Sequence, residues 1–236
     1  MIVLPFLRVL SRSIIAHILC NLKFLLTEVI PKAQVNPIPL VILSIPGYSV
    51  YLNFNPDDSH LGGGGTRGIA IFVKSNLKAI KTSFPGSSFK EQLWISVNLQ
   101  GSDQLLVGCF YRSPSSDGNS STMHLADLLK ACTSSRFTHI LLAGDLNMPQ
   151  IDWTACFSRA PDGHYSHLLI DALHEYGLTQ HISKATRFRL GEAPSLLDVV
   201  LTTEEGLVQN ISYHPPIGKS DHLVIQFELV CYAHVA

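Results

Sequence analysis

The stretch His139-Ile-Leu-Leu-Ala-Gly-Asp-Leu-Asn147 decides the fold, because it joins an apolar run to an acidic turn. The run predicts a strand buried on both faces, and the acidic turn follows where that strand ends. A second segment, Gly218-Lys-Ser-Asp-His222, stands directly before the apolar run Leu223 to Phe227. A carboxylate beside an imidazole at a strand edge can hold a phosphodiester and activate water. We therefore interpret the two segments as parts of one site.

Two further strand ends carry polar side chains. Tyr111-Arg112-Ser113-Pro114 ends one predicted strand, and Leu197-Asp198 begins another. Taken singly, Tyr111 could be a strand-end aromatic, Asp198 a buried carboxylate bonded to a backbone amide, and Asn147 a turn residue. Separate structural roles for all of these residues, and for the two segments above, would require several coincidences. We therefore favour a single catalytic site assembled from distant segments.

Size and composition fit one large α/β or all-β domain. The chain has 236 residues, of which 46% are hydrophobic and 15% are charged, which is enough to bury a substantial core. The net charge of -1 excludes a global basic field, so a polyanion would have to be held locally. The densest basic cluster is Lys184-Ala-Thr-Arg-Phe-Arg189, for which a solvated loop is an equally good explanation.

Cysteine usage indicates a reducing compartment. The five cysteines are odd in number and show no CxxC spacing, which argues against disulfides or a structural zinc site. Cys109 and Cys132 lie in apolar runs and are predicted to be buried free thiols. We expect an intracellular protein.

The N-terminal region is predicted to be an amphipathic helix that packs on the domain. Its longest clean apolar stretch, Ser13 to Leu22, is too short to cross a bilayer, and a secretory signal is not evident. The segment Ile38 to Ile45 is rich in proline and is at best a buried or edge strand. No membrane segment is predicted.

The rest of the chain alternates strand and helix patterns. Strands are predicted at 69–73, 93–99, 104–111, 139–143, 196–202, 209–213 and 223–229, and helices from Ser120 or Ser121 to Cys132 and from His164 to Tyr176. The short turn Gly101-Ser-Asp103 predicts a hairpin between the second and third of these strands. Hairpin-linked strands with helices between them predict an α/β fold with two packed sheets and helices outside.

Two segments match nucleotide-binding motifs as text but lack the sequence context that those motifs require. Gly63-Gly-Gly-Thr-Arg-Gly68 matches a dinucleotide fingerprint as text, but it opens a strand where the fingerprint must open a helix. Gly218-Lys219-Ser220 resembles the end of a phosphate-binding loop, but Tyr213 occupies the position of the required first glycine.

From about Ile45 to Leu229, the order and spacing of short elements resemble the endonuclease/exonuclease/phosphatase superfamily, which includes deoxyribonuclease I. More narrowly, they are similar to the endonuclease domain of non-LTR retrotransposons. The elements are Gly63-Gly64-Gly65 before Ile69 to Val73, Glu91 to Trp94, Tyr111 to Pro114, Gly144 to Asn147, Pro149, Ile151-Asp152-Trp153, Gln180, Thr186-Arg187, Leu196 to Asp198, and Ser220 to His222. The resemblance implies a four-layer α/β/β/α sandwich of two mostly antiparallel sheets flanked by helices.

The resemblance also implies roles for the site residues. Asp145 would orient or deprotonate the attacking water, Asn147 would contact the phosphate, and Tyr111 would stabilise the developing charge. His222, held by Asp198, would donate to the phosphoryl oxygen. The resemblance further implies that Arg112, Arg187 and Ser220 contact DNA. It implies that Asp221 is a ligand of Mg²⁺ or Mn²⁺. The implied partner is DNA, which in turn implies a nuclear location, and no protein partner is implied.

Two elements of that pattern are missing. Leu10 stands where the resemblance implies a catalytic asparagine, and no Thr-Glu-Thr-Trp element supplies a metal-binding glutamate. Glu28 is set aside because it falls too early and within the predicted helix. We therefore interpret residues 1–44 as a degenerate segment of the same domain, residues 45–236 as the endonuclease-like domain, and the metal as weakly held. This predicts reduced or absent cleavage.

Two other functions remain open at this point. The first is a non-catalytic nucleic-acid-binding or structural remnant of the same fold. The second is a phosphomonoesterase or lipid phosphatase, because a fold does not fix its substrate. The element Ile151-Asp152-Trp153 argues against the phosphatase.

Overall fold

Two six-stranded sheets, one two-stranded sheet and two α-helices are the main elements of the described residues. The computed structural model describes residues 15–19, 23–27, 45–54, 68–84, 87–217 and 220–231, and for the first two of these segments it describes the backbone alone. The predicted hinge at residues 62–65 lies outside these residues, as do residues 38–44 of the strand predicted at Ile38 to Ile45.

Sheet A combines strands from both ends of the chain. Its members, in the order β13-β14-β1-β2-β4-β3, are β1 (Ile15–Leu19), β2 (Lys23–Thr27), β3 (Tyr48–Phe54), β4 (Gly68–Lys74), β13 (Val208–His214) and β14 (Val224–Leu229). All neighbouring strands are antiparallel except β1 and β14.

Sheet B contains the apolar strand predicted at residues 139–143. Its members, in the order β11-β12-β8-β7-β6-β5, are β5 (Ile80–Thr82), β6 (Gln92–Asn98), β7 (Gln104–Tyr111), β8 (His139–Asp145), β11 (Thr179–Gln180) and β12 (Asp198–Thr202). The parallel pair β7/β8 is joined by helix α1 (Gly118–Thr133), as parallel strands require a crossover. The predicted hairpin is confirmed, because β6 and β7 pair antiparallel around Gly101, whose φ is +71°.

Sheet B is apolar on both faces because it lies between two cores. On β7, Leu105 and Val107 belong to the core shared with sheet A, whereas Leu106 and Phe110 belong to the core under the helices. Successive strand residues point to opposite faces, so this alternation requires the near-continuous apolar run seen in the sequence. Sheet A, sheet B and the helices form three layers of the predicted sandwich among the described residues.

The two helices cover the outer face of sheet B. Helix α2 spans Tyr165–Glu175 and ends before Gly177, which has a φ of +63° and closes the helix as predicted. Helix α1 begins earlier than predicted, because the Asp117 carboxylate, rather than Ser120 or Ser121, caps it by accepting a hydrogen bond from Ser120 N–H. A short β9/β10 pair (Ile151–Asp152 and Phe157–Ser158) completes the described strands. No helix within the described ranges is long and apolar enough to span a bilayer.

The predicted N-terminal helix is wrong where the structure describes it, because residues 15–19 and 23–27 are strands. Both are hydrogen-bonded inside sheet A, where a continuous ladder outweighs a local helical pattern. Thr27, the last residue of β2, pairs with Ile15 and Ala70, and Ala16 pairs with Ile225. Strand β2 therefore ends at the edge of sheet A where β14 begins.

Candidate active site

The register of sheet B brings three predicted site residues to one edge. Asp145 ends β8 and stands directly opposite Asp198, the first residue of β12. On the other side, Tyr111 at the end of β7 pairs with Asp145 in parallel register. Directly opposed residues place their Cβ atoms about 4.5–5.5 Å apart. The two carboxylates are therefore neighbours because of strand pairing, although they are far apart in sequence.

A tight turn fixes the carboxylate of Asp145. Asn147 has a φ of +47°, a left-handed conformation that asparagine tolerates better than most residues. This bend lets Asn147 N–H donate to Asp145 Oδ1 at 2.8 Å, while Asn147 Nδ2 donates to Asp145 Oδ2 at 2.9 Å and to the carbonyl of Arg112 at 2.9 Å. Gly144 has no room for a side chain, because an added Cβ would lie 1.9 Å from the carbonyl oxygen of Phe110.

His222 is anchored by Asp198. Its Nδ1 lies 2.9 Å from Asp198 Oδ2, and its backbone N–H donates to the hydroxyl of Ser220 at 3.0 Å. Ser220, predicted to contact DNA, thus holds the backbone of His222 in place. Asp198 is itself positioned by the buried hydroxyl of Thr186, which accepts a hydrogen bond from Asp198 N–H at 3.2 Å. No local sequence pattern predicts this role of Thr186, because its hydroxyl accepts a hydrogen bond from a backbone N–H twelve residues away.

Burial and mutual repulsion perturb the titration of these groups. Burial, followed by the charge of Asp198, raises the pKa of Asp145 to about 8, against the lowering effects of His222 and Asn147. Burial alone would lower the pKa of His222, but the hydrogen bond and charge of Asp198, with further charge from Asp145, raise it to about 8. Two groups with strongly shifted pKa values in one place are a feature of catalytic sites.

Asp145, Asp198 and His222 form a compact group of possible metal ligands. One ligand atom from each lies within 4.8 Å of the others. Asp198 Oδ1 is buried and has no hydrogen-bond partner within the part of the chain that the structure describes. A buried carboxylate oxygen without a partner is costly unless a cation or a donor satisfies it. This orphaned oxygen fits a divalent cation, which prefers carboxylate ligands.

Asp221, the predicted metal ligand, lies outside that group. Its Oδ2 accepts hydrogen bonds from Arg187 Nε at 3.2 Å and from Arg189 Nε at 2.9 Å. Burial opposes its ionised form, but the bond from Arg187, followed by lesser effects, keeps the pKa of Asp221 below its usual value. Glu192 lies 2.8 Å from Arg187 and 3.3 Å from Arg189. The structure therefore places Asp221 in an ion-pair network, and Arg187 in the same network beside His222.

The predicted DNA contact by Arg112 needs correction, because only 2% of this residue is exposed. Its guanidinium donates to Ser121 Oγ at 3.1 Å and to the carbonyl of Leu146 at 3.4 Å, and it stacks 4.7 Å from the ring centre of Tyr165. Its backbone N–H donates to the carbonyl of Asp145 at 2.9 Å. Arg112 thus supports the turn at Asp145 from the buried side. This role depends on tertiary packing.

Replacing Arg112 with methionine should destabilise the fold without changing the ionic part of DNA binding. The carbonyl of Leu146 would lose its donor, which costs about 1–3 kcal/mol of unfolding free energy. Measurements of thermal unfolding and of DNA affinity against salt concentration test this, with the exposed Lys130→Gln as a control for lost charge. A fall in the salt slope by about one for Arg112→Met alone would restore Arg112 as a phosphate contact.

A family model and solved structures match this arrangement. The model described as endonuclease-reverse transcriptase matches residues 105–226, just over half of the chain. These residues include strands β7, β8 and β12 and the whole group Asp145, Asp198 and His222. No curated protein matches the sequence.

Solved structures of the same fold act on different substrates. The endonuclease domain of TRAS1, a telomere-specific non-LTR retrotransposon, is 19% identical with a TM-score of 0.57 and covers 79% of this chain and 81% of that one. An endonuclease/exonuclease/phosphatase from Beutenbergia cavernae is 16% identical with a TM-score of 0.56, covering 84% and 59% of the two chains. A mannosyl-6-phosphatase from Bacteroides thetaiotaomicron is 12% identical with a TM-score of 0.51, covering 93% and 100%.

At these identities the structural likeness shows the fold alone, and it confirms the α/β sandwich predicted from the sequence. The family match adds the family of the domain, because residues 105–226 include the strand ends that carry Asp145 and Asp198 and the segment that carries His222. This chain belongs to the endonuclease-reverse transcriptase family of the endonuclease/exonuclease/phosphatase superfamily.

Proposed function

We propose that the protein is a metal-dependent endonuclease that nicks one strand of DNA by hydrolysing a phosphodiester bond. The observation that carries this proposal is the convergence of Asp145, Asp198 and His222, whose ligand atoms lie within 4.8 Å of one another. A base, an acid and a cation site at one strand edge are the parts that phosphodiester hydrolysis requires.

In the proposed reaction, each residue acts on one part of the phosphate. Asp145 takes a proton from the attacking water, whose oxygen bonds to phosphorus as the bond to the 3′ oxygen breaks. His222, kept protonated by Asp198, donates a hydrogen bond to the phosphoryl oxygen, and Tyr111 stabilises the same developing charge. The departing 3′ oxygen takes up a proton from solvent water and becomes a 3′ hydroxyl, while the 5′ side keeps the phosphate.

Magnesium or manganese would be held by carboxylate oxygens of Asp145 and Asp198, which leaves the protonated His222 beside it to donate to the phosphate. Bound there, it would neutralise phosphate charge and favour the ionised form of Asp145. We assign it there rather than to Asp221, because Asp221 is already neutralised by two guanidinium groups.

The DNA contact that we propose surrounds this edge of the sheet. Arg189 and Phe188 are 44% (side chain) and 47% exposed, and Phe188 N–H donates to the carbonyl of Asp221, next to His222. Arginine beside an exposed aromatic suits a phosphate backbone and an adjacent base or sugar. A DNA substrate also favours the nuclear location expected from the sequence, and fractionation of cells that express the tagged protein would test it.

Incubating the purified protein with supercoiled plasmid and magnesium tests the proposed activity. We expect conversion to nicked circles, and no conversion by Asp145→Ala. DNA binding without any nicking would instead favour the non-catalytic remnant. Release of phosphate from phosphorylated sugars or lipids by protein that leaves DNA intact would favour a phosphatase.

The missing glutamate predicts slow cleavage that still requires metal. We expect EDTA to stop nicking, and we expect the rate in magnesium to fall about 10²-fold or more below that of the TRAS1 endonuclease domain. Glu28 follows β2 in the sequence and lies outside the described residues. If it plays no part, Glu28→Gln and the exposed control Glu175→Gln will nick alike. A selective tenfold loss with Glu28→Gln would show that a glutamate takes part in cleavage, and the expected impairment would lose its basis.

A further inference from the structure

Two arginines beside the catalytic group are paired with two carboxylates of the protein itself. Arg187 and Arg189 belong to the basic cluster noted in the sequence, and Asp221 and Glu192 each form ion pairs with both of them. We call these four residues the arginine cluster. Its two positive and two negative side chains cancel, so the arginine cluster offers a polyanion no net charge as it stands. A DNA phosphate can use these arginines only if one carboxylate leaves.

The two carboxylates of the arginine cluster differ in exposure. The side chains of Arg187 and Asp221 are each 18% exposed, and their atoms lie 3.2 Å apart. The side chains of Arg189 and Glu192 are 44% and 45% exposed. Removing one partner of a pair that is largely withdrawn from water leaves a poorly solvated charge, whereas exposed ion pairs are weak and open readily. Glu192, rather than Asp221, is therefore the carboxylate that can be exchanged.

Glu192 lies where an anionic ligand of the two arginines would bind. Its Oε2 accepts a hydrogen bond from Arg187 Nη2 at 2.8 Å, and its Oε1 accepts one from Arg189 Nη1 at 3.3 Å. Guanidinium groups bind carboxylate and phosphate oxygens with the same forked geometry. Asp221 Oδ2 accepts from both arginines and so holds the two guanidinium groups together. The arrangement is a preorganised anion site that a side chain of the protein occupies.

The position of Glu192 on a hairpin tip allows its side chain to leave. The hairpin is closed at its base, where Arg187 and Ser195 exchange backbone hydrogen bonds of 3.0 and 3.1 Å. Glu192 follows the turn at Gly191, whose φ is +82°, and every residue from 188 to 194 is exposed. The carboxylate of Glu192 can therefore turn into solvent, while the backbone that carries the arginines stays in place.

The arginine cluster adjoins the catalytic group. Arg187 forms a backbone bridge with His222, and Phe188 N–H donates to the carbonyl of Asp221 at 2.7 Å. Each DNA strand carries one phosphate per about 3.4 Å of helix rise. A strand whose scissile phosphate lies at His222 therefore brings a further phosphate to the two arginines.

We propose that Arg187 and Arg189 form a second phosphate site, that Glu192 occupies this site in the free protein, and that a backbone phosphate of DNA displaces Glu192 on binding. The inference rests on the proposed function for its DNA ligand. Glu192 thereby lowers the affinity of the protein for DNA, because part of the energy of the phosphate contact is used to release the carboxylate.

Fluorescence anisotropy of labelled duplex DNA, in EDTA and at several salt concentrations, tests the proposal without cleavage. We expect Glu192→Gln to bind DNA about threefold to tenfold more tightly than the wild type and its salt slope to rise by about one. The control Asp171→Asn removes an exposed charge on helix α2 and should change neither quantity. Misfolding cannot imitate the expected result, because a damaged protein would bind DNA less tightly.

The variant Arg189→Gln shows whether Glu192 acts through the phosphate site. We expect the gain from Glu192→Gln to fall below about twofold in the Arg189→Gln background, because the phosphate then finds one arginine instead of two. An equal gain in both backgrounds would mean that Glu192 repels DNA by its charge alone, and would overturn the site. Unchanged or weaker binding by Glu192→Gln would overturn it as well, since Glu192 would then not compete with DNA.

The nuclease proposal and the phosphate site fail separately. Tighter binding by Glu192→Gln that depends on Arg189, in a protein that never nicks plasmid, leaves the phosphate site standing and ends the nuclease proposal. Plasmid nicking by a protein whose DNA affinity does not rise with Glu192→Gln does the opposite. If neither the wild type nor Glu192→Gln binds DNA at low salt, both proposals are wrong.

Discussion

Replacement of Asp145 by asparagine should abolish strand nicking, with a loss of about 10³-fold or more relative to the wild type. An amide cannot accept the proton of the attacking water, and it offers a cation one neutral oxygen in place of a carboxylate. The backbone should keep its conformation, because Asn147 N–H can still donate to the remaining carbonyl oxygen. A single-turnover nicking assay with excess protein measures the loss. Nicking within tenfold of the wild type would remove Asp145 from the proposed mechanism.

The same substitution should change how stability depends on pH. The pKa of Asp145 is raised by burial and by Asp198 to about 8, well above the value of about 3.9 in an unfolded chain. The folded protein therefore holds a proton that the unfolded chain releases, and its stability falls as pH rises from about 4 to 8. Asparagine does not ionise, so the variant lacks this loss of stability with rising pH.

The quantity to compare is the unfolding free energy of Asp145→Asn minus that of the wild type, both measured without metal. This difference should increase with pH, by on the order of 2 kcal/mol between pH 5 and 8.5. Its offset at low pH should be negative, because the amide loses the hydrogen bond that Asn147 Nδ2 donates to Asp145 Oδ2. Chemical denaturation at several pH values measures both quantities. A difference that is flat or declines with pH would show that Asp145 ionises normally in the folded protein.

Asp198→Asn should slow nicking by about 10²–10⁴-fold and move the pH optimum to lower pH. The carboxylate of Asp198 accepts the hydrogen bond from His222 and helps to raise the pKa of that imidazole to about 8. Without the negative charge, burial lowers the pKa of His222, so the proton donor is lost at a lower pH. The pKa of Asp145 also falls, because its carboxyl group loses a like-charged neighbour. Both limbs of the pH–rate profile should therefore shift in the same direction.

The measurement is single-turnover nicking from pH 5.5 to 9.5, with the pKa of His222 followed by NMR in the same variant. The Thr186→Val variant is a matched control, because it removes the hydroxyl that accepts the N–H groups of Leu197 and Asp198 and leaves the charge of Asp198 in place. We expect that control to lose rate with an unchanged optimum. An unshifted optimum in Asp198→Asn would mean that Asp198 orients His222 without tuning its proton affinity.

Local pattern was sufficient for the elements that carry the site. The apolar run before Asp145 predicted β8, and the alternation around the turn at Gly101 predicted the β6/β7 hairpin, because burial on two faces and a tight turn leave direct traces in sequence. Helix α2 was predicted to within one residue at each end, since His164 and Gly177 mark its limits. The N-terminal strands were predicted as a helix, because their pairing with β4 and β14 is non-local.

The sequence by itself determined which residues have the chemistry for phosphodiester cleavage, since Asp145, Asn147, Asp198, Tyr111 and His222 stand at predicted strand ends. Only the tertiary structure decided how they are used. Burial, together with the strand register that sets Asp145 against Asp198, raises the pKa of Asp145, and packing buries Arg112 under the turn at Asp145 instead of exposing it as a DNA contact. The tertiary structure also pairs the carboxylate of Asp221 with Arg187 and Arg189. Burial and ion pairing depend on contacts between residues far apart in the chain, and no local pattern encodes them.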